Sequence, residues 1–282
     1  MAKILDGKKV SSERAAELVK KIQKLSVEPK LIIIQVGDLK ESNTYIKHKI
    51  DFAKKVGIIT EHKKYQENIS EQEVIADILK YNADPAIHGV IVQLPLPRNI
   101  HTGEIVESID PKKDVDCLTS KNIKLLFDET EAILPATTKG IVTLLQYYDI
   151  DLKGKRVTMI GESSLVGRPT TLALLNRMAT VTVCHTHTVQ LKEETKRADI
   201  LIVAAGSPGL ITPKHVSKNQ IIIDVGITVK GKNKIVGDVE YEKVKDMVQA
   251  ITPVPGGVGP MTVLSLFENV VDAATAQQKT IL

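Results

Sequence analysis

Short aliphatic runs alternate with helical patterns along this chain, and that alternation restricts it to α/β architecture. In the second half the runs fall at residues 157–160, 181–184, 200–204 and 221–225. Their apolar side chains follow one another with few interruptions, where a strand wetted on one face would alternate. Such strands need cover on both faces, which the helices of parallel βαβ units supply. The first half repeats the theme at residues 31–36, 58–59 and 89–94.

Between the runs, Ala15, Ala16, Leu18, Val19, Ile22 and Leu25 recur at helical spacing. A second helix is expected over 42–56, stopped by Gly57. A third opens on the capping-box pair Ser70 and Glu73. The tail from 261 to 278 reads as one more helix, with Leu264, Phe267, Val270, Val271 and Ala274 on a single face. At 282 residues the chain exceeds one average domain, so two are expected. Residues 119–138 lack clean periodicity and contain Pro135, which marks them as the connection. The boundaries that follow are 1–118 plus 262–282 for the first domain and 136–261 for the second. The terminal helix is expected to pack back on the first domain.

Composition narrows the function. Aromatic residues are only 3% and tryptophan is absent, so the cores must be aliphatic and each tyrosine stands out. The net charge of +4 is spread over interleaved lysines and acids with no basic block, which speaks against nucleic acid as a partner. A mild positive potential suits a small polyanion instead. No apolar run approaches the roughly 18 residues of a membrane span, and the N-terminus lacks a secretion signal. Cys117 and Cys184 stand far apart without CxxC spacing, so neither a disulfide framework nor a metal site is expected. These features together point to a cytoplasmic protein.

Residues 157–160 run into Gly161-Glu162-Ser163-Ser164-Leu165-Val166-Gly167-Arg168-Pro169, and a helix follows. A glycine at the strand end permits a tight turn. The small Ser163 lets backbone approach a phosphate, and the helix N-terminus offers free N–H groups and a favourable dipole. The spacing departs from GxGxxG, so a plain strand-to-helix turn is the competing reading. The strand at 181–184 ends in His185-Thr186-His187, where an acid for the ribose of NAD would normally stand. A hydroxyl and imidazoles there leave room for a 2′-phosphate.

In the first half, Tyr45 and Lys49 lie four apart on a helix and share a face. A lysine shielded from water has a lowered pKa and can move protons near neutrality. Gln93 ends an aliphatic strand, at the carboxyl edge where α/β ligand sites form. Its amide oxygen can accept from a lysine ammonium. Lys113-Asp114-Val115-Asp116 then offers two carboxylates, either of which could pair with an amidine-like ring or simply face solvent.

Together these segments resemble the bifunctional methylenetetrahydrofolate dehydrogenase/methenyltetrahydrofolate cyclohydrolase family over essentially the full chain. The carriers are Val36-Gly37 with Ser42, Tyr45 and Lys49, then Val92-Gln93-Leu94-Pro95-Leu96-Pro97 and Lys113-Asp114-Val115-Asp116. They continue through Ser163, Val166, Gly167 and Pro169, Cys184-His185, and Ile223-Asp224-Val225-Gly226-Ile227. The most specific is Thr252-Pro253-Val254-Pro255-Gly256-Gly257-Val258-Gly259-Pro260-Met261-Thr262.

The resemblance implies an N-terminal α/β catalytic domain that binds folate and a Rossmann-type parallel-sheet dinucleotide-binding domain. It also implies a homodimer, tetrahydrofolate derivatives as substrates, and a place in the one-carbon metabolism that feeds purine biosynthesis. Lys49 would be the proton-transfer group, oriented by Gln93, with Tyr45 stacking on the folate and Asp116 on the pterin edge. Gly161, Glu162, Ser163, Val166, Gly167, His185, Thr186 and Ile227 would line the cofactor. Pro255, Gly256 and Gly257 would pass beside the substrate.

NADP is the expected cofactor on family precedent, supported by Thr186, His187 and Arg168. Glu162 stands where arginine or a small residue is frequent, and its charge opposes a 2′-phosphate and favours NAD. Other departures are Cys117, in place of the glycine after Lys113–Asp116, and Ala136 and Thr138, where cysteine and proline are usual. Two alternatives remain: a dehydrogenase of this fold without the hydrolase step, and a catalytically silent folate-binding protein. Retention of Lys49 and Gln93 argues against the first. Retention of Lys49 and of residues 255–259 argues against the second.

Overall fold

The structure is a computed structural model that describes residues 2–231 and 234–281. In chain order it begins β1 (Lys3–Ile4), α1 (Gly7–Ile22), β2 (Lys30–Val36), α2 (Lys40–Val56), β3 (Ile59–Tyr65), α3 (Glu71–Ala83) and β4 (Gly89–Val92). Three helices follow, α4 (Thr102–Glu107), α5 (Ser120–Phe127) and α6 (Ala136–Tyr147). Next come β5 (Arg156–Ile160), α7 (Gly167–Leu175), β6 (Thr180–Cys184), α8 (Leu191–Lys196), β7 (Ile200–Val203) and β8 (Ile221–Asp224). The chain closes with β9 (Thr228–Lys230), β10 (Lys234–Val236), α9 (Tyr241–Val244), β11 (Ala250–Ile251) and α10 (Val258–Ile281).

The chain divides into two compact units, 1–12 with 137–262 and 13–136 with 263–282. The first of these carries a parallel sheet in the order β1-β11-β8-β7-β5-β6. Its buried strands β7 and β8 read Ile-Leu-Ile-Val and Ile-Ile-Ile-Asp, as strands with helices on both faces should. The other unit carries the three-stranded parallel sheet β3-β2-β4. Its centre, β2, buries Leu31, Ile32, Ile33 and Ile34 completely. Helix α3 starts on the expected capping box, with Ser70 Oγ accepting from Glu73 N–H and Glu73 Oε2 accepting from Ser70 N–H.

The terminal helix groups with residues 13–136 from Val263 onward, the packing expected for it. Leu264, Phe267, Val270, Val271 and Ala274 are all fully buried. Phe267 stacks on Phe52 with ring centroids 5.4 Å apart. Asn269 donates to the carbonyls of Val115 at 2.9 Å and Leu134 at 2.8 Å, and Arg14 forks onto Glu268 at 2.8–3.0 Å.

Two sequence expectations need correction. The first twelve residues belong with 137–262, because Lys3 and Ile4 extend that sheet by pairing with Ala250 and Ile251. The connection over 119–138 contains the helix α5, capped by Thr119, whose hydroxyl accepts from Asn122 N–H at 3.4 Å. Among the described residues no helix is long and apolar enough to cross a membrane.

Candidate active site

The face of α2 that meets the sheet carries Ser42, Ile46, Ala53 and Val56, all buried. These positions are spaced four, seven and three apart, and the gap in that stripe is Lys49, one turn beyond Ile46. Lys49 is therefore an ionisable group set in the apolar row of its own helix, while Lys47, Lys54 and Lys55 face solvent. Its ammonium donates to Gln93 Oε1 at 3.0 Å. Gln93 in turn donates from Nε2 to the carbonyl of Leu94 at 2.8 Å, which fixes the amide with its oxygen toward the lysine. Burial pushes the Lys49 pKa below the ordinary lysine range, and the charge of Asp116 opposes that shift. Tyr45 sits one turn before Lys49 on α2 and is 39% exposed, so its ring is available to a ligand.

Asp116 comes near enough for its charge to act on the lysine because residues 113–116 lie along β4. Val90 N–H donates to the carbonyl of Lys113 at 2.8 Å, and Val90 bridges Asp114 in parallel. The two aspartates then part ways. Asp114 is buried and saturated, accepting N–H of Leu118 at 3.1 Å, N–H of Thr119 at 2.8 Å and the Asn122 amide at 2.9 Å. That is a brace for the turn into α5. Asp116 carries the raised pKa of a desolvated carboxyl, offset by the charge of Lys49 and increased by that of Asp114. Cys117, next in line, adopts a left-handed φ of 58°, the backbone conformation glycine takes without cost.

In the other unit, β5 runs into Gly161, where φ is +105°. A Cβ on Gly161 would lie 2.2 Å from the carbonyl oxygen of Ala204, and one on Gly167 would lie 2.1 Å from that of Gly161. The turn is thus closed against the end of β7 and against itself, with room only for hydrogen at both positions. Ser163 Oγ accepts from the N–H groups of Val166 at 3.2 Å and Gly167 at 3.4 Å, which folds residues 162–165 outward. This exposed backbone, at the start of α7 and at the carboxyl edge of a parallel sheet, fits a dinucleotide pyrophosphate.

Arg168 donates from Nε to the carbonyl of Glu162 at 3.0 Å, and its guanidinium lies 3.9 Å from the Glu162 carboxylate. His185 and Thr186 follow β6 in an exposed turn, with His185 N–H donating to Thr188 Oγ1 at 2.8 Å. No acid occupies that strand end.

Ile227 is 40% exposed after β8. Residues 255–257 precede α10, and the Gly256 carbonyl accepts from Lys8 N–H at 2.9 Å. Lys49, Gln93 and Asp116 therefore meet in one unit, whereas the glycine loop, His185, Thr186, Ile227 and residues 255–257 belong to the other. Among the described residues, Glu71, His101 and Glu104 bring three ligand-bearing groups within 4.8 Å of one another at the surface. Glu71 there already accepts the backbone N–H of His101 at 2.7 Å and pairs with its ring at 3.2 Å. Sequence reasoning missed the buried pair Asp224 and Asp238, because an acid ending an aliphatic strand gives no sign of whether it faces water.

A parallel six-stranded unit with a closed glycine turn, joined to a second unit with a lysine shielded from water, defines a class of two-domain dinucleotide-dependent α/β enzymes. Family models place the chain within that class. Residues 5–116 match the tetrahydrofolate dehydrogenase/cyclohydrolase catalytic domain, and 135–278 match the NAD(P)-binding domain of the same enzymes. The chain belongs to the tetrahydrofolate dehydrogenase/cyclohydrolase family. The bifunctional protein FolD of Enterococcus faecalis is 41% identical over 99% of this chain and 100% of its own. The bifunctional FolD crystal structure from Campylobacter jejuni superposes with a TM-score of 0.96 at 43% identity, covering 98% of this chain and 99% of the other. A Trypanosoma brucei FolD, solved with NADP and an inhibitor, gives 0.94 at 30% identity over 99% of each chain.

Proposed function

We propose that this protein oxidises 5,10-methylenetetrahydrofolate to the methenyl form with NADP and hydrolyses that product to 10-formyltetrahydrofolate. The observation that carries the reading is Lys49 Nζ held 3.0 Å from Gln93 Oε1 with the Asp116 carboxyl beside it. When bound, the dinucleotide accepts the hydride that leaves the methylene carbon between N5 and N10. Loss of that hydride leaves a cation, to which water adds readily once it is positioned.

A neutral Lys49 does not repel the cation and can take a proton from the attacking water. It returns a proton to N5 as the bond from N5 to the former methenyl carbon breaks and the formyl group stays on N10. One proton is released overall. Gln93, anchored through its own amide, keeps the lysine aimed. Asp116 binds the amidine edge of the pterin, and Tyr45 stacks on the folate. Gly161, Glu162, Ser163, Val166, Gly167, His185, Thr186 and Ile227 line the cofactor, and residues 255–257 pass beside the substrate.

Replacement of Lys49 by methionine is expected to abolish hydrolysis of methenyltetrahydrofolate, followed by loss of its absorbance. Near-normal hydrolysis by that variant would refute the role. In the same assay Asp116→Ala should raise the folate KM, and an unchanged KM removes Asp116 from the pterin site. Because the neutral lysine is the active form, hydrolysis should increase with pH up to a plateau reached below the usual lysine range. NADP is preferred over NAD, because Thr186, His187 and Arg168 offer donors to a 2′-phosphate and no acid follows β6. A KM for NAD below that for NADP would reverse this assignment in favour of the Glu162 carboxylate. The assembly proposed is a homodimer in the cytoplasm, with a sedimentation mass twice that of the 30.9 kDa chain.

A further inference from the structure

Two buried carboxylates of the dinucleotide unit take no part in the reactions above. Asp224 closes β8 and Asp238 follows β10, and they are 2% and 0% exposed. Asp224 Oδ1 accepts the N–H groups of Gly226 and Asp238, and its Oδ2 accepts that of Val239, each at 3.0 Å. Asp238 Oδ2 accepts two further N–H groups, those of Ala205 and Gly206, both at 2.8 Å. Asp238 Oδ1 has no donor among the described residues. A Cβ on Gly226 would stand 2.6 Å from that oxygen, so the acid is seated flush on backbone that tolerates no side chain.

The place where Asp238 acts is set by the sheet. From β5 the chain goes to β6 on one side and comes back to β7 on the other, so β5 and β7 are neighbours across a reversal of strand order. In parallel α/β sheets the ligand crevice lies outside the carboxyl ends of the strands at that reversal. The glycine turn at 161–167 forms one wall of it. Residues 204–207, which leave the end of β7, form the other wall, and Ala205, Gly206 and Ser207 are exposed there. A loop of Ala, Gly and Ser has no large side chain to root it in the core. Its root is the buried carboxylate beneath it, since a charged acceptor makes stronger hydrogen bonds than a neutral one.

We propose that Asp238 is a positioning residue for the dinucleotide, holding the amides of Ala205 and Gly206 so that the 204–207 backbone keeps its place as the second wall of the crevice. Asp224 acts one step further back, by fixing the N–H of Asp238 itself. The arrangement is costly to bury. Desolvation pushes the Asp224 carboxyl up to about 6 against three backbone donors, and the charge of Asp238 adds to that. A packing role alone would be met by an apolar residue without this cost.

The inference rests on the dehydrogenase reading, and the second reaction supplies a control because methenyl hydrolysis consumes no dinucleotide. Asp238→Ala should raise the NADP KM of the dehydrogenase about tenfold or more, equivalent to about 1.4 kcal/mol. Hydrolysis measured without dinucleotide should stay within about twofold. Asp238→Asn keeps an acceptor oxygen for both amides and should restore most of the NADP KM. Should the alanine variant not fold, Asp238→Ser withdraws the oxygen from the amides while remaining polar, and the same rise is expected. The Kd for NADP, measured by calorimetry on the intact protein, should move with the KM, and this reading needs no folate turnover. An unchanged Kd in the Ala or Ser variant overturns the proposal. A parallel fall of both activities in Asn as well as Ala overturns it too, because that pattern marks a folding role.

Discussion

Lys49 differs from the other lysines of α2 only in which way its helix turns it. Its neighbours in the buried stripe are Ile46 and Ala53, and the ammonium loses water for that reason. The same rule applied to Asp224 yields a stability prediction. Its carboxyl is raised from 3.8 to about 6, so the folded state holds the proton more tightly than the unfolded chain. The stability it contributes is complete below about pH 4 and is lost as pH rises through about 6. A rise of that size corresponds to about 3 kcal/mol. The thermal midpoint of Asp224→Asn relative to the parent should therefore climb between about pH 4 and pH 7. A constant difference over that range would show that Asp224 keeps its ordinary pKa. Cys117 marks a smaller strain, a residue other than glycine in the left-handed region, and its buried thiol is raised by desolvation.

At the scale of elements, the tightest junction is the end of β5 against the end of β7. Gly161→Ala would drive a methyl group to 2.2 Å from the backbone carbonyl oxygen of Ala204, at a left-handed φ that disfavours any side chain. NADP binding by that variant should be lost and its thermal midpoint lowered, as followed by calorimetry and circular dichroism. The buried strands and this turn were legible in the amino-acid sequence because continuous aliphatic runs admit few alternatives. The strand β3 was legible only at its start, since Glu61, His62, Lys63 and Lys64 give it a polar surface. It pairs with β2 alone, and an edge strand needs little apolar side chain. Helix α5 was missed because eight residues are too few for a period to show. Within the site, Lys49 and Gln93 could be read at strand and helix positions, whereas Asp114 and Asp116 could not be told apart. Their difference lies in Leu118, Thr119 and Asn122, which reach back to Asp114 and leave Asp116 to the lysine.

For the whole molecule, α10 carries Phe267, the largest fully buried side chain among the described residues. Phe267→Ala removes the ring stacked on Phe52 and should cost about 3–5 kcal/mol. Deleting residues 263–282 should leave residues 13–136 unfolded and abolish methenyl hydrolysis, read by the absorbance assay and by loss of near-ultraviolet dichroism. Survival of hydrolysis in that deletion would show that the catalytic unit is complete without its last helix. The chain passes between its two units at residues 12, 136 and 262. On the ribosome, domains ordinarily form in order as each emerges, at about 5–20 residues per second. Here the catalytic unit waits for residues 263–282, translated after the whole of the dinucleotide unit, and the dinucleotide unit, begun before residue 13, waits for residues up to 262. Neither unit can therefore close while residues 13–262 are being made, and a nascent chain released before residue 262 carries neither unit complete.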